Sequence, residues 1–216
     1  MWNWIAACVA AVVVMTASAA EGRQSTDPVP VPSPVDAPPA EAAKVVRFLG
    51  GAAIALGMHE AAHVAADLSA GATPRVKRVD FHGIPFFAIT PEGDLSRRQR
   101  FVIASAGFWV QHAGNEWILS REPRLRERSA PVRKGMLAFN VLASVAYAGA
   151  AFARTGPAER DTLGMAEGAR IDERVVGALL LAPAALDTVR YFKPGAKWAV
   201  WASRGVKVGL LLLVVR

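Results

Sequence analysis

Residues 45–69 read VVRFLGGAAIALGMHEAAHVAADLS. At 1.5 Å per residue this stretch is long enough, as a helix, to cross a hydrocarbon core about 30 Å thick. Its glycines and alanines are the residues that let membrane helices approach closely. Inside it stands His59-Glu60-Ala61-Ala62-His63. Three ionisable groups in five positions of an apolar helix are costly without a purpose. On a helix His59 and His63 share one face a turn apart, so both imidazoles can reach one metal ion. Glu60 is placed to hold a water and act as general base. Zinc suits two imidazoles plus a carboxylate, with a fourth position left open. The chain has four histidines and ten glutamates in 216 residues. Chance gives such a chain the pattern H-E-x-x-H about 0.003 times.

Similar stretches follow at 100–119 (RFVIASAGFWVQHAGNEWIL), 135–153 (GMLAFNVLASVAYAGAAFA) and 174–192 (RVVGALLLAPAALDTVRYF). A further one, 196–215, is apolar at its end but carries Lys197, Arg204 and Lys207. Between the first two, RVKRVDFHGIPFFAIT at 75–90 places Val76, Val79, Phe81, Ile84, Phe86 and Phe87 around a central Gly83-Ile84-Pro85. That pattern reads as a short β-hairpin at the membrane surface or against the bundle. The expected fold is mainly α: a multi-pass membrane helical bundle of about four to five helices, with a hairpin near residues 75–90.

Toward the amino terminus, WNWIAACVAAVVVM at 2–15 followed by ASAAEG at 17–22 reads as a signal peptide cut near Ala19 or Ala20, or as an uncleaved anchor helix, because no Lys or Arg precedes it. Residues 21–43 hold Pro28, Pro30, Pro32, Pro34, Pro38 and Pro39, an extended linker. The domains expected are therefore 1–20 signal or anchor, 21–43 linker and 44–216 a helical membrane metallopeptidase-like domain.

Composition agrees with a membrane protein. The chain is 53% hydrophobic, with a mean hydropathy of +0.27. Its net charge of +7 is spread over the segments between apolar runs and forms no separate arm. That distribution suits anionic lipid headgroups and argues against a nucleic-acid partner. One cysteine excludes a disulfide framework and a Cys-based zinc site, leaving His, Asp and Glu as ligands. Trp117, Trp198 and Trp201 stand near segment ends, where an interfacial belt would place them.

The pieces GMHEAAHVAADLSAG (57–71), VDFHGIPFF (79–87) and IASAGFWVQHAGN (103–115) together resemble the intramembrane site-2 protease type of zinc metalloprotease. Ala106-Gly107 stands where that family often has an Ala-Gly-Pro turn, with Phe108 in place of the proline. The family's Asp-Gly pair, which gives its third metal ligand, does not occur here. The resemblance implies Zn2+, metal ligands His59 and His63, a catalytic Glu60, and an Asp on a later segment.

Three carboxylates compete for the third position. Asp161 comes first, since it follows the helix containing Asn140 in the order that the resemblance implies; otherwise it is a solvated acid beside Arg160. Asp187 lies deeper in an apolar run, where the alternative is an ion pair with Arg190 one turn on. Glu116 would suit a soluble-type zincin whose second helix supplies a glutamate. His112, with Gln111 and Asn115, forms a polar stripe that supplies groups around the metal or an oxyanion, or only inter-helix hydrogen bonds; Asn140 is a further candidate for that shell. His82 reads as a turn residue.

The expected function is hydrolysis of a peptide bond at or within the bilayer by a zinc metalloendopeptidase, its partners membrane lipid and a peptide or membrane-protein substrate. The alternative is a non-catalytic metal-binding membrane protein acting in assembly or interaction. The expected location is integral, in a bacterial inner membrane.

Overall fold

The structure is a computed structural model that describes residues 40–81 and 84–215. The signal or anchor at 1–20, most of the linker and His82 lie outside the described residues. Helix α1 spans Ala40–Ser69, strand β1 Thr73–Phe81 and strand β2 Ile84–Glu92; helix α2 spans Arg97–Arg121, α3 Pro131–Ala153, α4 Asp161–Ala169, α5 Glu173–Phe192 and α6 Lys197–Val215. A single 3-10 turn, Leu125–Glu127, joins α2 to α3. Residues 40–43, expected in the linker, already belong to α1.

Among the described residues three helices are long and apolar enough to cross a membrane: α1, α3 and α5. This is fewer than the four to five expected. Gln111, His112, Asn115 and Glu116 lower the hydropathy of α2, and Lys197, Arg204 and Lys207 punctuate α6. The hairpin is present, with antiparallel register running from Thr73 opposite Glu92 to Phe81 opposite Ile84. Ile84 and Pro85, read from the sequence as central to the hairpin, lie in β2.

Local signals set the helix starts. Ser96 caps α2, accepting from the Gln99 amide while the Gln99 side chain accepts from the Ser96 amide. Pro131 stands in the first turn of α3, where its missing N–H costs nothing. Asp172 caps α5 by accepting from the Arg174 amide at 2.9 Å.

The buried residues of α1 are Gly51, Ala55, His59, His63 and Asp67, a stripe with a spacing of four. It packs mainly on α3 and α2. Two glycines make the α1–α3 crossing close. A Cβ on Gly51 would fall on the Val132 carbonyl, and one on Gly135 on the Phe48 carbonyl. Neither obstacle is a side chain that can turn aside. The opposite face of α1 leaves Val46, Leu49, Ile54 and Leu68 exposed, as a lipid-facing surface would be. Phe108, Met165, Ala166, Val176 and Leu180 form one apolar cluster joining α2, α4 and α5.

Two outcomes follow. Carbonate washing should leave the protein in the membrane pellet, and release into the supernatant would contradict the three spans. Gly51→Ala and Gly135→Ala should each destabilise the protein by about 1–3 kcal/mol through overpacking, read as a lower thermal midpoint by circular dichroism in detergent. Gly50→Ala, whose Cβ meets nothing, should leave the midpoint level or raise it.

Candidate metal centre

His59 and His63 project from the buried stripe of α1 with their Nε2 atoms 3.2 Å apart. The first residue of α4 brings Asp161 Oδ2 to 3.4 Å from each of them. Sequence separation is therefore no obstacle: the chain passes through the hairpin, α2 and α3 and returns Asp161 to α1. The new helix begins at Asp161, with Arg160 as its N-cap, and not at Pro157, as its first-turn preference suggests.

The atoms that meet are electron-pair donors. His63 Nδ1 lies 2.8 Å from the Ile103 carbonyl oxygen, which can only accept. Nδ1 therefore carries the proton, and Nε2 turns its lone pair to the cluster. Asp161 presents a carboxylate oxygen to the same point. Burial alone raises the Asp161 carboxyl, while protons on the His59 and His63 Nε2 atoms, in place of a metal ion, would hold it at about 2. His59 Nδ1 is buried without a partner.

The spacing fits a tetrahedral ion. Donors 2.0–2.1 Å from zinc at tetrahedral angles lie about 3.3 Å apart, and the three separations here are 3.2, 3.4 and 3.4 Å. Two imidazoles and one carboxylate are also a donor set that zinc accepts.

The walls are aromatic and tight. Phe108 meets the His59 ring edge-on at 5.3 Å, Tyr147 stacks beside it at 6.3 Å, and the two aromatics meet each other at 5.1 Å. Gly107 lies under the ring, where a Cβ would overlap His59. His59 and His63 are only 3% and 4% exposed. Glu60 is half-buried on the adjacent face of α1. Tyr147 escaped the sequence reading. Its signal is weak: it stands half-buried beside the buried stripe of α3 that runs through Asn140, Ser144 and Ala148.

The other candidates are placed elsewhere. Glu116 is held by Arg190 at 2.5 and 3.2 Å, Arg204 at 2.8 Å and Lys207 at 3.2 Å. Asp187, fully buried, accepts from Lys207 at 2.7 Å, Ser203 at 2.8 Å and Asn115 at 3.1 Å. Both carboxylates are thus spent on cations. Asn140 donates to Asn115 Oδ1 at 2.8 Å and so supports the Asp187 network. His112 is buried with neither ring nitrogen partnered. No hydrogen bond of the described residues links His112, Asn115 or Asn140 to the histidine–aspartate cluster. The reason is axial distance. α2 meets the histidines at Ile103 and Gly107, and His112 to Glu116 stand at least about 7 Å further along the helix.

Compared with known families, characterised proteins and solved structures, the chain matches none.

Asp161→Asn should weaken zinc binding strongly, measured by metal analysis of detergent-purified protein. Glu116→Gln and Asp187→Asn should leave metal content intact. Asp187→Asn should instead cost stability, on the order of 3–5 kcal/mol, because it strands a buried cation. Metal lost from Glu116→Gln but kept in Asp161→Asn would move the third ligand to α2.

Proposed function

We propose that this protein is a membrane-embedded zinc metallopeptidase that hydrolyses a peptide bond at or within the bilayer. The observation that carries the reading is the triangle of His59 Nε2, His63 Nε2 and Asp161 Oδ2, 3.2–3.4 Å on a side, with Glu60 next to its first corner. The resemblance of residues 57–71, 79–87 and 103–115 to site-2 proteases supports the same reaction. Asp161 takes the place of the absent Asp-Gly pair.

His59, His63 and Asp161 would hold the ion. Bound there, zinc supplies a Lewis acid for the scissile carbonyl and brings the pKa of water to about 7. Glu60 takes the proton from the attacking water and returns it to the leaving amine. Phe108 and Tyr147 keep bulk water away from His59. In a two-stranded sheet each strand keeps a free edge, so β1 or β2 can receive an extended peptide by strand addition. The substrate is then a peptide or membrane protein unwound to a strand. The apolar start of the chain and its Ala-x-Ala segment support placement in a bacterial inner membrane.

The close burial of both histidines favours a second reading, a metal-binding membrane protein without catalysis that acts in assembly. Glu60→Gln separates the two, because Glu60 is not a ligand. Reconstituted protein is offered a library of model transmembrane peptides, and cleavage is read by mass spectrometry. Wild type should cut, Glu60→Gln should lose cleavage about 100-fold or more with its zinc retained, and His59→Ala or His63→Ala should lose both. Full cleavage by Glu60→Gln would remove Glu60 as the base. Zinc bound without cleavage by wild type would favour the second reading.

A further inference from the structure

We propose that Glu173 is a positioning residue for the metal centre: it grips the residues on both sides of Asp161 and so aims that carboxylate at His59 and His63. The inference rests on the metal-site reading above.

Glu173 is the first residue of α5, and its side chain is 6% exposed. Arg160 donates to it in fork fashion, Nε to Oε1 at 2.7 Å and Nη2 to Oε2 at 2.8 Å. Thr162 Oγ1 donates to the same Oε1 at 2.7 Å. Three charge-assisted bonds thus tie positions 160 and 162 to one carboxylate, and such bonds are stronger and more directional than neutral ones. Arg160 Nη1 also returns to the Pro157 carbonyl at 2.9 Å, closing the loop ahead of Asp161. With both neighbours turned to α5, Asp161 is left to face α1.

Glu159 is also tied to Lys77 of β1, but Glu173 is the group that holds the residues on both sides of Asp161. The helix is nine residues long, and its N-cap Arg160 makes no side-chain cap bond. Helices this short are marginal alone, and Gly164 and Gly168 weaken it further. Those two glycines let α4 lie close on Ala104 and Phe101 of α2, which fixes its body and not its first turn. Without Glu173 positions 160 and 162 lose their shared anchor on α5, and the aim of Asp161 loosens.

The test uses the full chain in detergent micelles. Zn2+ affinity is measured by chelator competition, and the Co2+-substituted protein by its visible absorption. Glu173→Gln keeps one acceptor and the side-chain volume but loses the charge. It should weaken Zn2+ binding about tenfold to a hundredfold, as removal of a group that orients a ligand does, and shift the Co2+ bands. Thr162→Val, which removes a single arm from a buried site, should act in the same direction and less. In an Asp161→Asn background, Glu173→Gln should have no further effect on affinity, because its influence passes through Asp161. Equal losses in both backgrounds would mean a general loss of structure and overturn the assignment. Unchanged affinity in Glu173→Gln, with Asp161→Asn weakened, would overturn it and leave the metal site standing. Wild type that takes up neither metal would overturn the metal site itself and the role of Glu173 with it.

Discussion

Lone pairs on two imidazoles and a carboxylate, held about 3.3 Å apart in an apolar bundle, repel one another unless positive charge lies among them. Much of the architecture serves to hold that arrangement. α1 carries its two histidines on the only stripe it buries. The Ile103 carbonyl fixes the proton of His63 on the far side of the ring. Gly107 gives up its side chain so that His59 can lie flat over α2. The close α1–α3 crossing at Gly51 and Gly135 keeps Tyr147 against the same ring.

Most of the α1 part of this centre could be read from the chain. A spacing of four on a helix dictates that His59 and His63 meet, and an apolar context makes their presence costly. The hairpin was legible from its alternating Val and Phe residues, although Ile84 and Pro85, read as its centre, already belong to β2. The number of spans was less legible. α2 has the length of a span, but its polar side chains serve neighbouring helices, and length alone does not reveal that.

What a linear pattern cannot give is which distant acid arrives. Asp161, Asp187 and Glu116 each follow the histidines in a plausible setting, and the structure separates them by their partners. Two face cations on α5 and α6, and one faces α1. The arginine beside Asp161 suggested a solvated acid. It is in fact bound to Glu173, which leaves Asp161 without a cation of its own. His112 and Asn115 looked like members of the same site because they share α2 with Gly107. Asn115 belongs instead to the network around Asp187, roughly two turns away, and His112 is buried beside it with no hydrogen bond to either group.

That second network bears on how the chain enters a membrane. Lys207, Arg204 and Ser203 of α6 find their counter-groups on α2 and α5: Glu116, Asp187 and Arg190. A lone Lys or Arg at mid-bilayer costs about 2.5–3.5 kcal/mol on insertion scales, so counter-groups on neighbouring helices matter most for α6, which carries Arg204 and Lys207. The two are joined by the short turn at 193–196, but as a pair they keep an excess of positive charge: Asp187 faces Arg190 and Lys207, and Glu116 of α2 supplies the second carboxylate. α5 and α6 thus find their full set of counter-charges only when packed against α2, where Glu116 stands. Since α5 begins with Glu173, which binds Arg160 and Thr162, the packing of α5 also bears on the first turn of α4 and so on the histidine–aspartate cluster.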